Sequence, residues 1–247
     1  LAPGTVSNET VETLRNAGIT VFALGTPATV EGVAETTTLT GRLVGECEGA
    51  RATNAWMRAN VDEVRTAVAG EPRPRALSLL GGGFTVGSGT FVHDVMRTAG
   101  LSNVAADAEL TGYQRISPEV VRERDPEWLL RTPGVPVPDE PAYRETTAVR
   151  ANQTVTVDAN WLNQPAPRSI VRAVRTVALA VHPAAAADAA YVPRDAAGTP
   201  TATAEPTTTP TTTPASTTAA DSPGFGVLAA AVSLAATLLA VRGRRRL

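Results

Sequence analysis

Between about Thr199 and Thr218 the chain is almost wholly threonine, proline and alanine. Such a stretch carries too little apolar surface to offset the entropy of ordering it, so no core extends through it. It suits an extended, O-glycosylated stalk. Behind it runs an uncharged apolar segment, residues 226–241, closed by Arg242-Gly243-Arg244-Arg245-Arg246. As a helix this segment would be about 24 Å long. That is short for a bilayer core of about 30 Å, and the arginines would stay on the cytoplasmic side. A stalk followed by a membrane anchor puts everything before it outside the cell. Residues 184–222 are therefore expected to be stalk and residues 223–247 to be the anchoring segment.

Composition narrows the chemistry. The 247 residues carry a formal net charge of −2, and none of the 22 basic residues is lysine. Without lysine there is no Schiff base, no Ser-Lys pair and no Walker-type phosphate loop. The single cysteine, Cys47, excludes an internal disulfide and is expected to be inert or partly buried. Asn8-Glu9-Thr10 and Asn152-Gln153-Thr154 are glycosylation sequons. Arginines alternate with acids, and the only basic run abuts the apolar segment, which argues against nucleic acid. Leu1 is neither an initiating methionine nor the start of a signal peptide, so the surface reading expects a missing leader.

Before the stalk, helical and strand patterns alternate. Ser7 or Asn8 caps a helix with Val11 and Leu14 on its apolar side, stopped by Gly18. Residues 19–24 read as a buried strand. A helix from about Val30 to Val44 ends at Gly45, and a long one from about Gly49 to Ala69 aligns Met57, Val61, Val64 and Val68. Residues 76–80 form a strand, 81–89 a glycine-rich loop and 90–99 a helix closed by Gly100. Ser117 and Pro118 open another helix. Residues 127–130 and 154–158 are strands, and 167–181 form a final amphipathic helix. Alternation of this kind predicts parallel sheets covered by helices.

The glycine-rich loop follows a strand and opens a helix, yet it lacks a dinucleotide fingerprint. Its glycines suit close approach of backbone to a ligand. His93 and His182 lie far apart, and His93 reads as a surface or packing residue. No His, Cys and carboxylate set has metal-ligand spacing. Ser88 lacks the elbow of an α/β hydrolase. No catalytic residue is expected, and no metal.

Two resemblances follow from these pieces. Stalk, Pro223-Gly224-Phe225, apolar helix and terminal arginines together resemble the archaeal PGF-CTERM sorting signal, which an archaeosortase cuts and replaces with a lipid. Residues 1–181 resemble the solute-binding proteins of cobalamin and ferric-siderophore ABC importers. The matching stretches are 1–4, 8–11, 39–45, 87–91, 116–120 and 158–168, in the family's order. The resemblance implies an α/β fold of two Rossmann-like lobes joined by one long helix, the first lobe incomplete. The remainder of that lobe would be residues 1–48, the helix 49–70 and the second lobe 71–183.

By this resemblance the protein is a monomeric, non-enzymatic binding protein that passes its ligand to a permease and its ATPase. It needs no cofactor, the ligand being cobalamin, a ferric siderophore or haem. Cleft walls carried over are Pro3, Gly4, Leu80, Phe84, Val86, Tyr113, Trp161 and Asn163. Cobalamin-binding relatives often have larger aromatics at Pro3, Leu80 and Val86. Glu119 matches a transporter-docking carboxylate, whereas Trp56 and Trp128 are expected to pack. Two alternatives remain: a haem- or chelate-binding receptor without a permease, with Tyr113 or Tyr143 as iron ligand, and a chelatase-type enzyme.

Overall fold

The computed structural model describes residues 7–194. Pro3, Gly4, the Thr/Pro tract, Pro223-Gly224-Phe225 and the apolar segment lie outside the described residues.

Helix α1 (Asn8–Asn16) starts where the Ser7 hydroxyl accepts the Thr10 N–H at 3.2 Å, and it stops before Gly18, whose φ is +80°. The strand expected at residues 19–24 does not form, and Ile19 and Phe22 are 52% and 47% exposed. A strand needs a neighbour for its backbone donors and acceptors. All strands among the described residues lie beyond Pro74 and pair with one another.

Helix α2 (Val30–Val44) is capped by Thr29 and closed by left-handed Gly45. Helix α3 (Cys47–Ala67) begins and ends two residues earlier than the periodicity suggested, and Cys47 at its start is exposed rather than buried. The Asn54 amide ties the two helices by donating to Ala34 O and Thr38 Oγ1, both at 2.9 Å. Met57, Val61, Val64 and Val68 form a buried stripe.

The chain continues through β1 (Arg75–Leu79), β2 (Phe84–Val86), α4 (Phe91–Thr98), β3 (Ser102–Asn103), α5 (Val104–Asp107) and β4 (Tyr113–Arg115). It then runs through α6 (Pro118–Arg124), β5 (Trp128–Arg131), α7 (Pro141–Arg144), α8 (Thr147–Arg150), β6 (Thr154–Thr156), α9 (Ala159–Asn163), α10 (Pro167–Val181) and α11 (Pro183–Asp188). Strands β3-β1-β5-β6 make one parallel sheet, with Leu77 opposite Leu129 and Leu130 opposite Val155. Strands β2 and β4 pair antiparallel beside it.

Successive strand residues point to opposite faces, and both faces are covered, so Ala76 and Leu77 of β1 and Leu129 and Leu130 of β5 are all buried although they alternate in direction. Ala76, Leu130 and Val155 join α2, α3, α4 and α10 in one cluster. Leu77, Leu79 and Leu129 join α5 to α8 in the other. Residues 30–68 therefore share a core with the sheet, and this is the one parallel sheet among the described residues.

The folded part also runs past residue 183, where the stalk was expected to begin. Pro183 opens α11 instead of ending order, because proline is as suited to a helix's first position as to a break. The chain then crosses α3: Trp56 Nε1 donates to Val192 O at 3.0 Å, and the Asn60 side chain bonds both the N–H and the carbonyl of Val192.

His93, in the first turn of α4, is half-buried against Asn103. Asn103 spends its carbonyl on Ala105 N–H and one amide hydrogen on Val86 O, leaving the other amide hydrogen for His93 Nδ1 at 3.1 Å. The imidazole proton then sits on Nε2. Burial, and after it the Arg97 charge, lowers the His93 pKa against the pull of Asp94 and Asp107. Unfolded, the ring titrates near 6.5, so just below that pH the unfolded chain binds more protons than the native one. Stability is expected to be full above about pH 6.5, to fall as the pH drops toward the folded pKa, and to level off below it. Denaturant titrations at several pH values check this: His93→Gln should remove that slope, and an unchanged slope would assign it to another group.

Candidate ligand-binding cleft

In an open parallel sheet, the loops leaving the carboxyl ends of the strands form the natural concavity. Here Leu80 follows β1, Arg131 ends β5 and Thr132 follows it, and Leu162 and Asn163 lie in α9 after β6. Together with Tyr113 they line a cleft of about 200 Å³. Leu80 and Tyr113 are 37% and 59% exposed. On the paired strands, Phe84 faces Arg115 and Val86 faces Tyr113. Directly opposite residues share a face, so Phe84 and Tyr113 stand on the same side of this ribbon. The Arg115 guanidinium lies 4.8 Å from the centre of the Phe84 ring.

Leu80, Tyr113 and Asn163 thus converge, with Phe84 on the adjoining strand. Val86 has no exposed surface and belongs to the core behind the cleft, so it offers a ligand no wall. Trp161 is half-buried against the core, outside the cleft lining, with the Arg172 guanidinium 5.3 Å from its ring centre. Tyr143, considered as an iron ligand, is buried in the second cluster, and its burial raises its phenolic pKa. Trp56 and Trp128 pack as expected.

The glycine-rich loop is a folded turn. Leu80 N–H bonds Phe84 O and Phe84 N–H bonds Gly81 O, both at 3.0 Å, while Gly81, Gly82 and Gly83 all have positive φ. Its middle is strand β2, where the sequence suggested only loop. The close backbone approach is made to the chain itself: Gly87 N–H donates to Gly112 O at 2.8 Å, and Ser88 N–H donates to Leu110 O at 2.9 Å. Ser88 Oγ also donates to Leu110 O, which leaves it poorly placed as a nucleophile.

Arg131 was missed in the sequence. It lines the cleft, one guanidinium nitrogen donating to Val135 O at 2.8 Å while buried Nε has no hydrogen-bond partner among the described residues. Its signal was a cation ending the apolar run Trp128-Leu129-Leu130. Glu119 is exposed in the first turn of α6, where its own backbone N–H, then the Ser117 hydroxyl, hold its carboxyl below the usual range. Among the described residues no group of three or more His, Cys, Asp or Glu is arranged to hold a metal. No described helix is long and apolar enough to cross a membrane.

The cleft, with apolar side chains, Tyr113 and one convergent cation, thus lies at the carboxyl edge of a parallel sheet. A periplasmic binding protein family model matches residues 4–161, and the chain belongs to that family. In this family the bound small molecule is a ligand and not a cofactor. A cobalamin-binding protein of Halobacterium salinarum is 40% identical over 194 residues, 74% of this chain and 52% of that relative. The chain thus spans about half the length of the curated relatives it matches. Among solved structures, the heme-binding RhuT of Roseiflexus sp. RS-1 in apo form aligns at TM-score 0.64 and 22% identity, covering 71% of this chain and 73% of that one. A periplasmic heme-binding protein of Pseudomonas aeruginosa aligns at TM-score 0.62 and 21% identity, covering 72% and 69%. These two likenesses concern the fold alone.

Proposed function

We propose that the protein is the solute-capturing component of an ABC importer, holding a corrinoid or a related iron chelate and delivering it to a permease and its ATPase. The carrying observation is the convergence of Leu80, Tyr113 and Asn163 with the unsatisfied cation of Arg131 at the carboxyl edge of the sheet. A large amphipathic ring system needs such a wall: apolar area for its face and a donor for its acidic substituents. The 40% identical cobalamin-binding relative supports a corrinoid as the first ligand to test. In this reading Pro3 and Gly4 complete the cleft from a first lobe, and exposed Glu119 docks on arginines of the permease.

Titration of the full chain with hydroxocobalamin, haemin and a ferric hydroxamate, followed by tryptophan fluorescence, tests ligand capture. Saturable binding of one of them is expected, and binding of none would overturn the reading. With a reconstituted permease and ATPase, Glu119→Arg should leave affinity unchanged while cutting stimulation of ATP hydrolysis about tenfold or more, since charge reversal at a rim acts on docking. Equal loss of ligand affinity would move Glu119 into the cleft or the fold.

The reading places the protein at the outer face of the cell membrane. Pro223-Gly224-Phe225 would be processed by an archaeosortase-type enzyme and replaced by a membrane lipid. The support is the sequence order of stalk, tripeptide, apolar segment and arginines. A mature protein whose C-terminal peptide still ends at Leu247 would overturn this part.

A further inference from the structure

A second concavity, of about 450 Å³, shares no lining residue with the cleft. Its walls carry four arginines and no carboxylate. Arg168, Arg172 and Arg175 lie at i, i+4 and i+7 on α10, so they share one stripe of that helix. Arg194 joins them because the segment after α11 is strapped across α3, where its guanidinium donates to Thr53 Oγ1 at 2.8 Å. Arg175 donates to Ala189 O at 3.0 Å and lies 5.9 Å from the ring centre of exposed Tyr191.

Arg168 and Arg172 make no hydrogen bond or ion pair with a described residue; Arg172 only covers the Trp161 ring. All six ion pairs among the described residues use other arginines. Like charges at these spacings disfavour the helix, and no acid nearby relieves them. Guanidinium groups present paired donors that match phosphate oxygens, and they shed water more readily than ammonium groups do. The concavity exceeds what a single small oxyanion would fill.

We propose that this face of α10 is a binding site for a ligand carrying several phosphate charges, either a soluble polyphosphate or the headgroups of an anionic phospholipid. The site is separate from solute capture and does not depend on the cleft's ligand. The full chain is titrated with inorganic tripolyphosphate, and in parallel its partition onto phosphatidylglycerol and phosphatidylcholine vesicles is measured. The same is done with an R168Q/R172Q variant, which keeps the apolar tail and terminal arginines and so subtracts their contribution.

Wild-type binding is expected to weaken as salt rises, and the variant to bind roughly tenfold more weakly or worse. Loss confined to tripolyphosphate assigns a soluble ligand. Loss confined to phosphatidylglycerol assigns the headgroup. The variant should melt no lower than wild type, because it removes repulsion. No wild-type binding to either probe, or equal binding by the variant to both, would overturn the proposal. A variant that melts lower would show the arginines to be structural; R168K/R172K, which keeps charge but not the paired donors, then decides, and full binding by it would likewise overturn guanidinium recognition.

Discussion

Gly87→Ala should destabilise the fold by about 3 kcal/mol or more, in the range reached by overpacking a rigid site. A Cβ on Gly87 would lie 2.1 Å from Leu110 O, 2.4 Å from its carbonyl carbon and 2.8 Å from Thr111 N. All three are backbone atoms, so no side chain can swing aside. Relief by separation is opposed by the bonds that join the two segments: Gly87 to Gly112, Ser88 to Leu110 and Gly112 to Ser88. Gly82→Ala is the matched contrast. Nothing lies within 4 Å of its added carbon, and only the positive φ of +57° resists, which costs about 1–2 kcal/mol. Urea unfolding followed by circular dichroism separates the two. A loss below about 1 kcal/mol at Gly87 would show that the Leu110 segment moves freely.

The contrast between these glycines also shows how far local signals reach. Caps were legible because they are local: Ser7 and Ser117 accept the N–H three residues on, and Gly45 and Gly100 take the left-handed conformation that closes helices. The buried stripe of α3 and the whole of α10 followed from periodicity alone. Residues 19–24 failed for the opposite reason. Their β-branched run has strand propensity, but a strand exists through its neighbour, and none lies beside it among the described residues. In sequence the glycines of residues 81–89 together suit close approach to a ligand; at Gly87 the approach is to residues 110–112, which only the tertiary structure brings there.

The cleft divides in the same way. Leu80, Tyr113 and Asn163 line one concavity in the structure. Val86 shares a face of β2 with Phe84, yet the ribbon lies on the core at that end, and period-two patterning does not say which residues of so short a strand are covered. Arg131 escaped notice because a strand-terminal cation is ordinary in one dimension. It becomes informative once its Nε is seen buried without a hydrogen-bond partner among the described residues. The arginines of α10 do not stand out along the sequence; helix geometry and the strap after α11 gather them in walls that hold no carboxylate.

Tyr113→Ala is expected to weaken binding of the cleft's ligand by about 1–3 kcal/mol, roughly 5- to 150-fold, with stability nearly unchanged. Tyr113 is 59% exposed and its side chain has no hydrogen bond to a described residue, so truncation removes little buried area. Its strand partner Val86 is held by the core rather than by the ring. Trp161→Ala serves as the internal comparison: its ring packs on the core and under Arg172, so that variant should lose stability first. Both variants are titrated with the ligand the wild type binds, alongside thermal melts. A Tyr113→Ala protein that melts like wild type and binds like wild type would remove the tyrosine from the site. Should Trp161→Ala keep its stability yet lose affinity, the ligand would lie over α9, and the cleft wall would have to be redrawn toward Trp161.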